Sequence, residues 1–232
     1  EQQCAEMIGD PENPHALDPD FGNIWKTVCH LDYNKFNENL FEVGFGLGQN
    51  GDIGSLMGYS LGANTQYGSR GFGGSYVATT GYYFYSFDRE DLRRDYGATW
   101  FSYTSENKEK MGNDILTVML GKWNFFWTND TYKSMHKTAN SRISTGINWI
   151  VMRYSDVLLM FAEARNALVG ADEVSTVAKI SARQALEQVR ERAFGAGSPK
   201  VKEYDPDFFE AIVNERAWEF GGEAIRKQDL VR

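Results

Sequence analysis

The last third of the sequence, from about Ser144 onward, repeats apolar residues at the spacing of an α-helix. In "NWIVMRYSDVLLMFAEARNALVG" one broad stripe consists of Ile150, Tyr154, Val157, Leu158, Phe161 and Leu168. The stretch ends at Gly170, and glycine is the residue that most often follows the last turn of a helix. The pattern predicts a long amphipathic helix that lies against a partner.

Two further helical patterns follow this one. "STVAKISARQALEQVRERAFG" has Ser175 as a candidate N-cap and Gly195 near its end. Its predicted buried residues are Val177, Ile180, Leu186 and Val189. A third helix is predicted after Asp205, which can cap it, with Pro206 at the first position. Its inward residues are predicted to be Phe208, Ile212 and Phe220. The first two helices would pack as an antiparallel pair, so the fold is predicted to be mainly α.

The middle of the chain has a different composition. Twelve of the 23 glycines fall between Gly44 and Gly81, and only Asp52 and Arg70 are charged there. A long irregular segment in a compact domain is usually functional or disordered. Its tyrosines and phenylalanines favour ordered surface loops over a flexible linker.

Short elements are predicted around these loops. The spacing of Phe21, Ile24, Trp25 and Val28 indicates a short helix, and "NLFEVGF" reads as a strand. Residues 79–88 and 114–130 are predicted to be strands or extended segments. In the second of these, three aromatic residues at every other position are predicted to belong to the core: Trp123, Phe125 and Trp127.

Charge and composition exclude several classes of function. The net charge of −8, with no basic run, disfavours nucleic acid as a partner. Cys4 and Cys29 match no zinc-binding spacing, and a single disulfide between them is left as an alternative. The three histidines are scattered, and no Asp-rich loop demands calcium. No cofactor is therefore expected, and calcium stays open as an alternative that the sequence does not require.

The closing run "ERAWEFGGEAIRKQDLVR" allows two interpretations. Glu215, Glu219 and Glu223 recur every four residues, with bases at three- or four-residue steps around them. Two of these carboxylates could form a general acid–base pair, or the whole set could be a framework of ion pairs. The framework is favoured because each acid has a base nearby, whereas a catalytic acid needs an apolar, unpaired setting.

Other catalytic motifs are weak or missing from the sequence. Gly46-x-Gly48-x-x-Gly51 has dinucleotide-binding spacing, but the residues after it do not read as a helix, so it is interpreted as a chance match. No nucleophile or zinc-hydrolase motif is present. The chain is accordingly predicted not to be an enzyme.

Three segments in the helical third resemble the SusD/RagB family of nutrient-binding proteins from the outer membranes of Bacteroidetes-type bacteria. They are "MRYSDVLLMFAEARNAL", "LEQVRERAFG" and the closing run. Weaker echoes lie upstream in "NENLFEVGF" and in "YYFYSFDREDLRRDYG", where Asp91 and Arg93 take the family's Asp-x-Arg position. One departure is Ala224, where the family commonly has glycine.

The resemblance implies a SusD-like unit of tetratricopeptide-like helical hairpins with a loop-rich, aromatic-rich excursion that contains a few short strands. Residues 1–143 would be the loop-rich, ligand-facing portion and residues 144–232 the helical portion of one compact unit. Family members are considerably longer, so the chain is expected to be an internal or C-terminal part. Cys4 has no lipobox before it, and the lipid anchor at the outer membrane is expected in a preceding segment.

The function implied by the resemblance is non-catalytic capture of a glycan at the cell surface and delivery to a SusC-like TonB-dependent transporter. Aromatic rings suit the apolar face of a sugar, and glycine-rich loops can display them. The predicted ligand-binding residues are Asn64, Tyr67, Arg70, Phe72, Tyr76 and Trp100. Two alternatives remain open: capture of peptides, as in RagB-type proteins, and a helical scaffold that binds only its protein partner.

Overall fold

The structure is a computed structural model, and it describes most of the chain outside the glycine-rich middle. The described residues are 1–32, 37–46, 79–103, 110–112, 118, 120–123, 127–129, 131 and 146–231. The structural statements below concern these residues.

Helices dominate the described part of the chain. The helices are α1 (Gln2–Gly9), α2 (Phe21–His30), α3 (Gly81–Ser86), α4 (Arg94–Gly97), α5 (Tyr154–Val169), α6 (Ala182–Phe194), α7 (Phe208–Glu219) and α8 (Arg226–Val231), with a 3-10 helix at Pro199–Lys202. The strands are β1 (Asn39–Val43), β2 (Phe101–Tyr103), β3 (Lys110–Gly112) and β4 (Trp149–Arg153). β1 pairs with β4, and β2 pairs antiparallel with β3. The prediction of a mainly α fold with a few short strands is confirmed.

The chain divides into two compact units. The first consists of Glu1–Phe21, Asn37–Phe41 and Val151–Arg232, and the second of Gly22–Phe36 and Glu42–Ile150. The first unit therefore contains all of the last four helices, together with two upstream segments, Glu1–Phe21 and Asn37–Phe41. Among the described residues no helix is long and apolar enough to cross a membrane.

The first unit is organised around the pair of helices α5 and α6. Both α1 and α7 also pack against α5. The core of this unit is made of Ala5, Tyr154, Leu158, Leu159, Phe161, Ala162, Ala178, Ala182, Ala185, Leu186, Val189, Ala211, Ile212 and Phe220. Several of these are alanines, and small side chains let the helices approach closely while leucine and phenylalanine fill the remaining space.

Helix α5 starts later than the sequence pattern predicts. Residues 149–153 form β4, so Ile150 is buried as part of a strand, and the helix begins at Tyr154. The predicted end is confirmed, since the helix stops at Val169 and Gly170 follows with φ 94°. Leu168 was predicted on the buried stripe, but its side chain is 67% exposed. The spacing of apolar residues alone misplaces the start of the helix, because a short apolar strand runs directly into it.

The caps of α6 and α7 also differ from the predicted ones. Ser181, not Ser175, is the N-cap of α6, and it forms a capping box with Gln184. Ser175 instead accepts hydrogen bonds from the amides of Val177 and Ala178, in a turn that precedes α6. Val177 lies in this turn and is exposed, although it was predicted to be buried. Asp207, not Asp205, caps α7 by accepting from the Glu210 amide. In each case a second residue with the same capping chemistry lay closer to the helix.

Tryptophans form the centre of the second unit. Trp25 on α2 meets Trp123 edge-to-face at 5.2 Å, and Trp123 stacks on Trp149 at 4.9 Å. The Lys122 ammonium lies 4.9 Å above the Trp25 ring and is fully buried. Trp123 and Trp127 are buried as predicted, whereas Phe125 lies outside the described residues.

One segment predicted to be a strand or extended is helical over part of its length. Residues 81–86 form helix α3, and Thr80 caps its first turn by accepting from the Tyr83 amide. In the segment 114–130 the described residues 118, 120–123 and 127–129 do not lie in a strand, and the other residues of that segment lie outside the described part of the chain. The open question of a bridge between the cysteines is also answered, since neither Cys4 nor Cys29 forms a disulfide.

Ala224 lies in a backbone conformation that favours glycine. Its φ is 64°, and it follows Glu223 in the turn between α7 and α8. We expect Ala224→Gly to raise the free energy of unfolding by about 0.5–1 kcal/mol, because the relief of steric strain exceeds the entropy cost of glycine. Urea titration of both proteins measures this. Ala196→Gly, at a position without positive φ, is the control and should give no gain. An Ala224→Gly protein no more stable than the parent would show that the turn is unstrained.

Candidate functional site

A cluster of buried charges lies in the first unit, where β4 ends and α5 begins. Arg153 occupies this junction and has none of its side chain exposed to solvent. Three carboxylates surround it, from Glu38 before β1, Glu219 at the end of α7 and Glu223 in the following turn. Here they are called, with Arg153 and Arg192, the buried ion cluster.

Arg153 uses all of its nitrogen atoms in this cluster. Its Nε and Nη2 donate to the two oxygens of Glu223 at 2.9 and 2.8 Å, which is a bidentate ion pair. Its Nη1 donates to Glu38 at 2.7 Å, to Glu219 at 2.8 Å and to the hydroxyl of Ser155 at 2.9 Å. Burial would lower the pKa of Arg153, but Glu223, Glu219 and Glu38 raise it well above its usual value. The guanidinium therefore stays charged in the interior.

A second guanidinium completes the cluster. Arg192 on α6 donates to Glu38 and to Glu219, so each of these carboxylates lies between two arginines. The Phe21 ring faces both guanidinium groups, with centroid distances of 5.8 Å to Arg153 and 5.3 Å to Arg192. These contacts join β4, α6, α7 and the stretch before β1.

Helix α7 carries further ion pairs to other elements. Glu215 pairs with Arg190 of α6 at 2.8 Å. Arg216 pairs with Asp156 of α5 at 2.6 Å and with Asp229 of α8 at 3.0 Å. The framework interpretation of Glu215, Glu219 and Glu223 is thus confirmed. The partners, however, come from other elements and not from neighbouring turns of one helix, as the four-residue spacing suggested.

The buried ion cluster is unsuited to acting on a ligand. Glu38 and Glu219 have at most 1% of their surface exposed and Glu223 has 4%, and each is paired with an arginine. A general acid must reach its substrate, and carboxylates that are buried in the interior and paired with arginines do not. Glu38 was missed by the sequence analysis because 115 residues separate it from Arg153 and no local spacing links them.

The Asp-x-Arg turn of the second unit is built in the same way on a smaller scale. Arg93 donates from Nε and Nη2 to the two oxygens of Asp91 at 2.9 and 2.7 Å, and both side chains are buried. The pair lies directly before α4, and the Tyr96 and Gly97 amides of that helix donate to the carbonyl of Arg93. The turn fixes the start of the segment that carries Trp100.

Trp100 is the predicted ligand-binding residue that the structure describes. Its Nε1 donates to Asp95 of α4 at 3.0 Å, and its ring is half-buried. Next to it, Thr99 donates to the Asp95 carbonyl at 2.6 Å. A Cβ on Gly121 would lie 1.8 Å from the Thr99 hydroxyl, so only glycine lets this backbone approach. Trp100 is therefore a half-buried residue whose indole is held by Asp95.

The other predicted ligand-binding residues lie outside the described residues. These are Asn64, Tyr67, Arg70, Phe72 and Tyr76. Within the described part of the chain, no group of three or more His, Cys, Asp or Glu side chains is arranged to hold a metal ion.

Comparison with known proteins places the chain. The sequence model of the SusD family, SusD_RagB, matches residues 74–232, which include most of the buried ion cluster. This chain belongs to the SusD family. A curated relative, SusD-like protein P25 of Formosa agariphila, is 27% identical over 264 aligned residues, which cover 99% of this chain and 45% of the relative.

Solved structures share the fold. A SusD homologue from Bacteroides thetaiotaomicron has a TM-score of 0.67 at 23% identity, over 100% of this chain and 51% of its own. Surface glycan-binding protein A from the same species, in complex with laminarihexaose, has a TM-score of 0.64 at 17% identity, over 99% and 48%. The chain thus spans about half the length of the family relatives it matches.

Removing Arg153 should destabilise the first unit strongly. We expect Arg153→Met to lower the free energy of unfolding by about 3–5 kcal/mol, because three carboxylates would remain buried with one guanidinium fewer. Denaturant titration followed by circular dichroism measures this. The matched control is Asp172→Asn, which breaks the exposed pair with Arg183 and should leave the stability nearly unchanged, because solvent screens that pair.

Should Arg153→Met fail to fold, Glu38→Gln gives the same comparison with a milder change. Equal stability of the buried and the exposed variants would contradict the role assigned to the cluster.

Proposed function

We propose that this chain is part of a cell-surface protein that binds glycans without altering them. The observation that carries the proposal is the match of the SusD family to residues 74–232. It is supported by structural relatives whose own names describe surface glycan-binding proteins, one of them in complex with laminarihexaose. The proposed ligand is an oligosaccharide or polysaccharide.

The fixed indole of the half-buried Trp100 supports the proposal that the chain binds a sugar. An indole face is flat and apolar, and the CH-rich face of a sugar ring can stack on it while the hydroxyl groups remain hydrated. The hydrogen bond to Asp95 fixes the ring before the ligand arrives, so little conformational entropy is lost on binding. Asn64, Tyr67, Arg70, Phe72 and Tyr76 are proposed to complete the surface.

Delivery and location follow from the family and are likewise proposed. The bound glycan would pass to a SusC-like TonB-dependent transporter, and the whole protein would be lipid-anchored at the outer membrane and face the exterior. The division of the chain into a ligand-facing portion, 1–143, and a helical portion, 144–232, is part of the same proposal.

Affinity electrophoresis in gels that contain laminarin, starch, xylan or pectin tests glycan binding. We expect retardation by at least one polysaccharide and about tenfold weaker binding by Trp100→Ala, the loss expected when one central aromatic contact is removed. Phe209→Ala is the control, because Phe209 is an aromatic residue on α7 with 47% of its surface exposed. Retention of a peptide library, with no retardation by any glycan, would instead favour peptide capture.

The purified protein should release no reducing sugar from any polysaccharide that it binds. The reason is that Glu215, Glu219 and Glu223, the most regular carboxylate series in the sequence, are engaged with arginines in the interior. A reducing-end assay after prolonged incubation measures this, with a commercial glycosidase as the positive control. Time-dependent release that the Trp100→Ala variant reduces would reverse the conclusion.

A further inference from the structure

Helix α3 displays two tyrosines on its surface. Tyr82 is 88% exposed and Tyr85 is 74% exposed. They are three residues apart, so their side chains lie next to each other on one face of the helix, with Cβ atoms roughly 5–6 Å apart. Among the described residues neither hydroxyl has a hydrogen-bond partner, and the only ring contact of the pair is that of Tyr85 with Phe84 at 5.2 Å.

The opposite side of α3 is firmly anchored. The Tyr83 ring meets the buried Phe87 edge-to-face at 4.9 Å, and both rings pack against Gly97 of α4. Ser86 donates to the Tyr83 carbonyl at 2.7 Å, and Thr80 caps the first turn. The two exposed rings therefore stand on a short, fixed helical turn. Rigid display of this kind lowers the entropy cost of binding.

Burial cannot explain why these two positions carry rings. A tyrosine that is almost fully exposed contributes little to the hydrophobic core, and adjacent exposed aromatics are typical of binding surfaces. Their combined area limits the partner. Two aromatic side chains supply at most about 300–500 Å², whereas a stable protein interface buries about 800 Å² on each partner. The pair is thus large enough for a sugar chain and too small to hold a protein by itself.

A series of contacts leads from this pair to Trp100. The guanidinium of Arg94 lies 5.4 Å from the Phe84 ring, the ring that Tyr85 contacts. Arg94 adjoins Asp95 on α4, and Asp95 holds the Trp100 indole. The helix that carries the tyrosine pair therefore contacts the helix that holds the Trp100 indole. A polymeric ligand can use such neighbouring surfaces together, and the second contact then benefits from a high effective concentration.

We propose that Tyr82 and Tyr85 form a second carbohydrate-stacking surface, which binds a glycan chain that also engages the Trp100 region. This inference rests on the proposed glycan-binding function. The apolar ring faces would stack on sugar rings, and the free hydroxyl groups would lie at the level of the sugar hydroxyls.

The test compares two double variants. The alanine pair carries Tyr82→Ala and Tyr85→Ala, and the phenylalanine pair carries Tyr82→Phe and Tyr85→Phe. The probe is whichever of laminarin, starch, xylan and pectin retards the parent protein, and dissociation constants are measured by isothermal titration calorimetry. We expect about tenfold weaker binding for the alanine pair and a change of less than threefold for the phenylalanine pair, which keeps both rings. Leu92→Ala, at an exposed apolar position of the same unit, is the control and should bind like the parent.

The other outcomes are separable. Normal glycan binding by the alanine pair would overturn the second surface and leave the proposed function intact. Equal losses for the alanine and phenylalanine pairs would overturn stacking, because only the hydroxyl groups differ between the parent and the phenylalanine pair. Absence of glycan binding by the parent protein would overturn the proposed function and this inference together. Circular dichroism confirms folding, and Tyr82→Ala alone replaces the alanine pair if that pair is unfolded.

Discussion

The buried guanidinium of Arg153 is the constraint on which the arrangement of the first unit depends. A charge without solvent is tolerated only if opposite charges surround it, and here they come from two regions far apart in the chain, Glu38 in one and Glu219 with Glu223 in the other. The stretch before β1, the end of α7 and the turn after it must all reach the same point. Hydrophobic contacts alone would permit sliding of α7 along its neighbours, whereas a bidentate pair has one geometry. Charge pairing thereby specifies how the helices meet.

The second unit uses aromatic rings where the first uses charges. Trp25, Trp123 and Trp149 pack in succession, and Lys122 lies over one of them. Rings of this size fill space between short, irregular elements that offer few regular contacts. Part of the high aromatic content therefore serves the core, whereas Tyr82 and Tyr85 are the most exposed of the aromatic residues in the described part of the chain.

Local patterns in the sequence predicted the elements well where one periodicity held over many residues. The helix from Tyr154 to Val169 and the glycines that end α5 and α6 were predicted for this reason. The prediction was wrong where two elements abut, as at Arg153, and where aromatic residues suit both a strand and a helix, as at Tyr82–Tyr85. The long-range partner Glu38 was beyond reach, because spacing within a segment says nothing about which distant segment folds against it.

The close approach at Gly121 is a requirement for the orientation of Trp100. The Thr99 hydroxyl fills the space that a Cβ on Gly121 would need, so a larger residue at position 121 would displace Thr99. Thr99 and Trp100 both donate to Asp95, and a shift of Thr99 would therefore disturb the residue that holds the indole. The absence of one methyl group from the backbone at position 121 thus sets the direction of a ring on a different segment.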